Sequence, residues 1–151
     1  MKRLGFIVKR DEIMKLDWVV NDEIGALFSE GLALFNAGRF FESHEVWEAA
    51  WKRVSGDEKL FLQGLIQAAA ALLQVQRGRR AGALSLLQKS KVKLELFPTI
   101  WMGVELGEFR RGFEDYVTAV IDGGPPSHPP ILRRSMSAAR LRKTSSSNDG
   151  T

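Results

Sequence analysis

The chain has 151 residues, which is room for one domain, and its 44% hydrophobic and 26% charged residues are ordinary for a soluble globular protein. It has no cysteine, which excludes disulfides, thiolate metal sites and cysteine nucleophiles, and only two histidines, which exclude a polyhistidine metal site within one chain. No stretch approaches the ~20 apolar residues of a membrane span, and the N-terminus lacks a signal-peptide pattern. We therefore expect no membrane association and a cytoplasmic location.

The first part of the chain is predicted to form an extension followed by two helices. Residues 1–20 have no firm pattern and are treated as an N-terminal extension. Apolar residues then recur at helical spacing after Asn21, a predicted N-cap, and the pattern stops at Gly38, a predicted turn glycine. A second helix is predicted over residues 40–54, followed by a turn over residues 55–57.

Three further helices are predicted, over residues 59–77, 80–97 and 107–121. The third helix of the chain is apolar on most sides and contains four consecutive alanines, 68–71, which is typical of a helix in the centre of a bundle. No β-hairpin signal is visible. Because short connections favour antiparallel neighbours, residues 21–121 are predicted to form an all-α domain, a compact bundle of about five antiparallel helices.

Beyond the last helix, glycine and proline pairs and a polar low-complexity end predict that residues 122–151 form a disordered tail. This segment has five basic and two acidic residues, so +3 of the net charge of +4 belongs to it. Nucleic-acid binding is therefore expected only through this basic tail.

One polar group of residues stands out against the predicted core. At ~100° per residue, His44 falls within the apolar arc of the second helix and Glu48 lies one turn after it. Glu45 lies at the margin of that arc and Glu42 on the wetter side. On the third helix, Gln67 is flanked by apolar residues, which indicates an internal position. We expect His44, Glu48 and Gln67 to meet between the two helices, with Glu42 and Glu45 at the mouth of the resulting pocket.

Three interpretations of this group remain open. It is a buried hydrogen-bond network that fixes helix packing, a small-molecule pocket, or a metal site. In an enzyme, His44 would be the acid–base group and Glu48 the carboxylate that orients it. In a metal site, His44, Glu45 and Glu48 would bind a divalent ion, and oxygen-rich ligation would favour Mg, Mn or Fe. Trp47 and Trp51 are either core residues or walls of the pocket, and a homodimer is a further expectation.

The two motifs Phe35-Asn-Ala-Gly-Arg-Phe-Phe-Glu-Ser-His-Glu-Val-Trp-Glu48 and Gly64-Leu-Ile-Gln-Ala-Ala-Ala70 resemble the signature of the domain of unknown function 309 family. The resemblance covers residues 24–97. It implies a small all-helical protein of prokaryotes or plastids, hence a stromal location if the source is a phototrophic eukaryote. It also implies metal-dependent hydrolysis as an activity. The characteristic polar positions of the family carry over to Glu42, His44, Glu45, Glu48 and Gln67.

Overall fold

The computed structural model describes residues 23–123 and 129–135. The predicted N-terminal extension, residues 1–20, lies outside the described residues, and so does the predicted tail except for residues 122–123 and 129–135. Within the described residues the chain forms five helices and one short hairpin, which confirms the predicted all-helical class. The elements in chain order are α1 (Glu23–Asn36), α2 (Phe40–Trp51), α3 (Gly56–Gln76), α4 (Arg80–Leu94), β1 (Ile100–Trp101), β2 (Val104–Glu105) and α5 (Leu106–Ile121).

Helix α3 is the centre of the domain, as its nearly all-round apolar surface predicts. It packs against α2 on one side and α4 on the other, and also contacts α5. Its buried residues include Phe61, Leu65 and Leu72, and Phe61 contacts the rings of Phe28 and Phe97 with centroids 6.0 and 5.6 Å apart. None of the described helices is both long and apolar enough to cross a membrane.

The first four helices form two hairpins that repeat each other at an offset of forty residues. Both turns contain a glycine with positive φ, +79° at Gly38 and +71° at Gly78. In both, the amide of the next residue, Arg39 or Arg79, donates to the carbonyl five residues earlier at 2.9 Å, which is the Schellman termination of a helix. The paired buried positions are Gly25 and Leu65, Phe28 and Ala68, Gly31 and Ala71, Leu32 and Leu72, Ser43 and Ala83, Trp47 and Leu87, and Ala50 and Ser90.

Each hairpin is closed by a glycine that faces a serine. Between α1 and α2, the hydroxyl of Ser43 donates to the carbonyl of Gly31 at 3.0 Å, and the Trp47 indole occupies the space where a Cβ of Gly31 would be. Between α3 and α4, Ser90 donates to the carbonyl of Gly64 at 2.8 Å. The small residues allow the helix backbones to approach closely, and a Cβ at Gly64 would meet the Leu94 side chain of α4 at 2.7 Å.

Three helix ends differ from the prediction by three residues each. Helix α2 ends at Trp51 and not at 54, α3 begins at Gly56 and not at 59, and α4 ends at Leu94 and not at 97. The guanidinium of Arg110 on α5 donates to the carbonyls of Leu94 and Phe97 at 2.8 and 3.0 Å. The carbonyl of Leu94 also accepts from the amide of Phe97 at 3.2 Å, so Arg110 adds a contact from a distant helix to the end of α4. Such long-range capping leaves no local sequence signal.

The structure contains a short hairpin that no sequence signal marks: β1 and β2 pair antiparallel, with Trp101 opposite Val104. Both turn residues have positive φ, 54° at Met102 and 78° at Gly103, as a type I′ turn requires. Met-Gly lacks the asparagine or aspartate that normally marks this turn, and two-residue strands are too short to show alternation. The turn is therefore invisible to pattern analysis.

Part of the predicted tail contacts the helical domain. In the segment 129–135, Leu132 is buried, and its backbone exchanges two hydrogen bonds with the side-chain amide of Asn36, at 2.8 and 3.0 Å. The amide of Ser135 donates to the carbonyl of Gly103 at 2.9 Å. Residues 129–135 therefore contact the helical domain, and the domain boundary at 121 stays a prediction.

Candidate metal centre

The rotation of α2 about its axis determines which of the predicted site residues reach the surface. The predicted buried arc contains Trp51, with His44 inside it. In the structure both side chains are only half-buried. The buried face of α2 instead includes the small residues Ser43 and Ala50, and Ser43 contacts α1. His44 and Glu48 therefore lie on the flank of the helix and not in the core. The fully buried residues of α2 are Phe40, Ser43, Trp47 and Ala50.

The two tryptophans of α2 have different environments. Trp47 is fully buried, and its indole N–H donates to the carbonyl of Phe28 at 3.1 Å, so its one donor is already used within the core. Trp51 is half-buried, and its Nε1 is a buried donor that has no hydrogen-bond partner among the described residues. The ammonium of Lys59 on α3 lies 4.2 Å from the centre of the Trp51 ring. Only Trp51 is therefore placed near the polar flank of α2.

The structure brings His44, Glu45 and Glu48 together. One imidazole nitrogen and one oxygen from each carboxylate all lie within 4.8 Å of one another. Two donors that both bind one ion at ~2.1 Å are at most about 4.2 Å apart, so small side-chain rotations suffice to bring all three to one ion. Glu45 is exposed and the other two are half-buried, which places the cluster at the surface.

The carboxylates of this cluster lack a basic counterpart. Among the described residues, no ion pair involves Glu45 or Glu48, and α2 itself contains neither lysine nor arginine. Glu42 lies outside the cluster and pairs with Arg39 at 3.0 Å; a hydrogen bond from that guanidinium lowers the pKa of Glu42. A bound cation would therefore supply the counter-charge that no ion pair gives to Glu45 or Glu48 among the described residues.

Gln67 is level with His44 along the groove between α2 and α3. The contact of Trp51 with Lys59 fixes the relative height of the two antiparallel helices. His44 precedes Trp51 by seven residues and Gln67 follows Lys59 by eight, so both lie about two turns from that contact. A second contact, in which the amide of Gln76 donates to the carbonyl of Gly38 at 3.1 Å, shifts this register by four residues, and Gln67 lies between the two positions on α3 that the two contacts place level with His44.

No hydrogen bond joins His44 or Glu48 to Gln67 within the described part of the chain, so the expected meeting of these three side chains stays a prediction. By the same register, Gln63 is level with Glu48, one turn from the Trp51–Lys59 contact. The sequence analysis does not identify Lys59 as a neighbour of the site. The sequence signal that could identify Lys59 is a row of polar residues on the otherwise apolar helix α3. Lys59 lies one turn before Gln63, and Gln67 and Gln74 continue the row.

The fold and this cluster together define a small helical protein with a histidine and two carboxylates on the flank of its second helix. Residues 28–86 match the family model described as "Domain of unknown function (DUF309)", and the chain belongs to this family. The resemblance inferred from the two sequence motifs is thus confirmed.

Two relatives extend this comparison. The crystal structure of a conserved hypothetical protein from Thermus thermophilus is similar, with a TM-score of 0.54 and 37% identity, over 60% of this chain and 95% of that one. An uncharacterized protein from Aquifex aeolicus is 29% identical over 101 residues, which is 66% of this chain but 30% of that protein. The chain thus spans less than a third of the length of the Aquifex relative.

Proposed function

We propose that this domain binds a divalent cation through His44, Glu45 and Glu48, and that the bound ion serves hydrolysis of a small ligand. The observation that carries the proposal is the convergence of two carboxylates on an imidazole, with no ion pair to either carboxylate among the described residues. A hydrogen-bond network that serves only packing has no need of two neighbouring charges of the same sign.

The donor set indicates the class of ion and of reaction. One imidazole nitrogen with two carboxylate oxygens suits Mn²⁺ or Fe²⁺, and the oxygen-rich character also admits Mg²⁺. Three protein ligands leave coordination positions for water or substrate, as in catalytic and not in structural metal sites. A divalent ion in such a site polarises an ester or phosphoryl oxygen and activates bound water. The half-buried flank of α2 keeps the three ligands accessible to a substrate from solvent.

The second hairpin supports a functional over a structural role for the cluster. Forty residues after His44, Glu45 and Glu48, helix α4 has Leu84, Ser85 and Gln88. This helix forms the same kind of hairpin, with the same turn and equivalent buried positions, and has no ionisable group at these three positions. The hairpin geometry therefore does not need a histidine and two carboxylates at these three positions.

The decisive experiment replaces the cluster by its counterpart from α4. The triple variant His44→Leu, Glu45→Ser, Glu48→Gln and the unaltered protein are titrated with Mn²⁺, with free Mn²⁺ measured by electron paramagnetic resonance. We expect one Mn²⁺ per chain in the unaltered protein and none in the variant. The melting temperature should stay the same or rise, because the variant removes carboxylate repulsion.

Glu42→Gln is the matched control, because Glu42 is on the same helix but pairs with Arg39 outside the cluster; this variant should bind Mn²⁺ normally. Hydrolysis is assayed with a panel of chromogenic phosphate and carboxylate esters in the presence of Mn²⁺, with the triple variant as the blank. The metal proposal is refuted if the unaltered protein binds no Mn²⁺, Fe²⁺ or Mg²⁺. A large fall in melting temperature in the triple variant would instead support the packing network.

A further inference from the structure

Four buried polar atoms on the facing helices α2 and α3 lack hydrogen-bond partners within the described residues, two on each helix. Two of them are Nδ1 of His44 on α2 and Oε1 of Gln67 on α3. A buried polar atom without a partner costs free energy and is rare in folded proteins, so each such atom calls for an explanation. The side chain of His44 is half-buried, and its buried atom is Nδ1, so Nε2 is the nitrogen nearer to solvent.

The two atoms are complementary in position and in chemistry. The register of α2 and α3, fixed by the Trp51–Lys59 contact, places Gln67 level with His44. A neutral imidazole carries one N–H donor, and an amide oxygen is an acceptor, so a hydrogen bond between them would satisfy both. The other unpartnered acceptor on α3, Oε1 of Gln74, is two turns further along and lies beside Gly82 of α4.

We infer that Gln67 is a positioning residue for His44: after small side-chain rotations its Oε1 accepts a hydrogen bond from Nδ1–H, which leaves the Nε2 lone pair free for the cation. This inference rests on the proposed metal site and adds the residue that selects the imidazole tautomer. Which ring nitrogen of a histidine binds a metal is set by the hydrogen bond that the other nitrogen makes. The amide of Gln67 fulfils this role without adding a third negative charge beside Glu45 and Glu48.

The consequence is a site that is ordered before the ion arrives. With the proton held at Nδ1, the Nε2 lone pair is available on the side of the imidazole nearer to solvent. Without Gln67, the Nδ1 proton has no buried acceptor, and the proton is free to move to Nε2, where it competes with the cation. The loss of Gln67 should therefore weaken metal binding although Gln67 itself never touches the ion.

The tautomer can be read directly in the metal-free protein. Long-range ¹H–¹⁵N correlation spectra distinguish Nδ1–H from Nε2–H imidazole, and the chain has only one other histidine, so His128→Asn assigns the signals. At a pH where His44 is neutral, we expect the Nδ1–H tautomer in the unaltered protein. Gln67→Ala should shift His44 towards Nε2–H, whereas Gln67→Glu, which keeps an acceptor oxygen, should preserve Nδ1–H.

Gln63→Ala is the matched control, since Gln63 lies one turn away on the same row of α3 and is level with Glu48. It should leave the tautomer unchanged. An Nε2–H tautomer in the unaltered protein, or an unchanged tautomer in a folded Gln67→Ala variant, would overturn the assignment of Gln67.

The Mn²⁺ titration separates this inference from the proposed function. Gln67→Ala should lower Mn²⁺ affinity by about 10- to 100-fold, as the loss of such an outer partner typically does, while Gln63→Ala should not. If the tautomer responds to Gln67 but no cation binds to the unaltered protein, the positioning contact stands and the metal function fails. If Mn²⁺ binds but Gln67→Ala changes neither tautomer nor affinity, the metal function stands and the role of Gln67 is refuted.

Discussion

Gly31 is the position at which the packing of α1 against α2 can be tested most severely. A Cβ at this residue would overlap the Trp47 indole, whose three nearest ring atoms would all be closer than 3.0 Å. The indole is fully buried between Phe28 and Phe35, with ring centroids 6.3 and 5.5 Å away, so it has no free space to move into. Gly31→Ala must therefore displace Trp47 or push the two helices apart.

The expected loss of stability combines three effects. Overpacking of a filled core costs about 1–3 kcal/mol. Displacement of the indole also breaks its 3.1 Å hydrogen bond and leaves the carbonyl of Phe28 without that partner, at a cost of about 1–3 kcal/mol. The higher helix propensity of alanine returns about 1 kcal/mol. The net loss is about 3 kcal/mol, which corresponds to a fall in melting temperature of about 12 °C or more for a domain of this size.

Gly82→Ala is the matched control, because Gly82 is also a helical glycine but a Cβ there would meet only the flexible Gln74 side chain, at 3.4 Å or more. This variant should gain about 1 kcal/mol from helix propensity alone. Both variants are compared with the unaltered protein by thermal and urea unfolding. The account of α1–α2 packing is wrong if Gly31→Ala is as stable as Gly82→Ala.

Three further predictions test other contacts of the domain. Leu132→Ala should lose about 2–5 kcal/mol of unfolding free energy, because the side chain is buried, whereas Ile131→Ala should change it by less than about 1 kcal/mol. Arg110→Ala should lower the free energy of unfolding by about 1–2 kcal/mol, because it removes the two hydrogen bonds to carbonyls at the end of α4; urea unfolding measures this loss. The hydrogen bond from Arg39 lowers the folded-state pKa of Glu42, so ionised Glu42 contributes stability that is fully present above its unfolded-state pKa and is lost as the pH falls through its folded-state pKa. Arg39→Gln should raise the folded-state pKa of Glu42, which an NMR titration measures.

The helices were predictable because their signals are local. Apolar residues at intervals of three and four mark each helix, and Gly38 and Gly78 mark the turns, so the five helices and the central position of α3 follow from the sequence. The two sequence motifs also identified the family. Each of these features depends on residues within one or two helical turns of one another.

Features that depend on distant residues could not be predicted. The segment 129–135 looks like part of a proline-rich tail, and its contact with the helical domain depends on a hydrogen-bonding pair between Asn36 and Leu132, which are 96 residues apart. The residues of the candidate site were identified from the sequence, but their environment was not. The periodicity of α2 places His44 within the apolar arc of the helix, and the structure leaves both His44 and Trp51 half-buried.

The difference in the rotation of α2 bears directly on what the cluster can do. In the predicted orientation, His44 and Glu48 would lie at the bottom of a pocket between α2 and α3, where a bound ion would have to lose more of its water. The contacts of Gly31 with Trp47 and Ser43 turn α2 so that the polar flank is half-buried. In this orientation Nδ1 of His44 faces the interior, while the carboxylates remain close to solvent. The same packing that stabilises the first hairpin thus gives the cluster the access to water that an exchangeable metal ion requires.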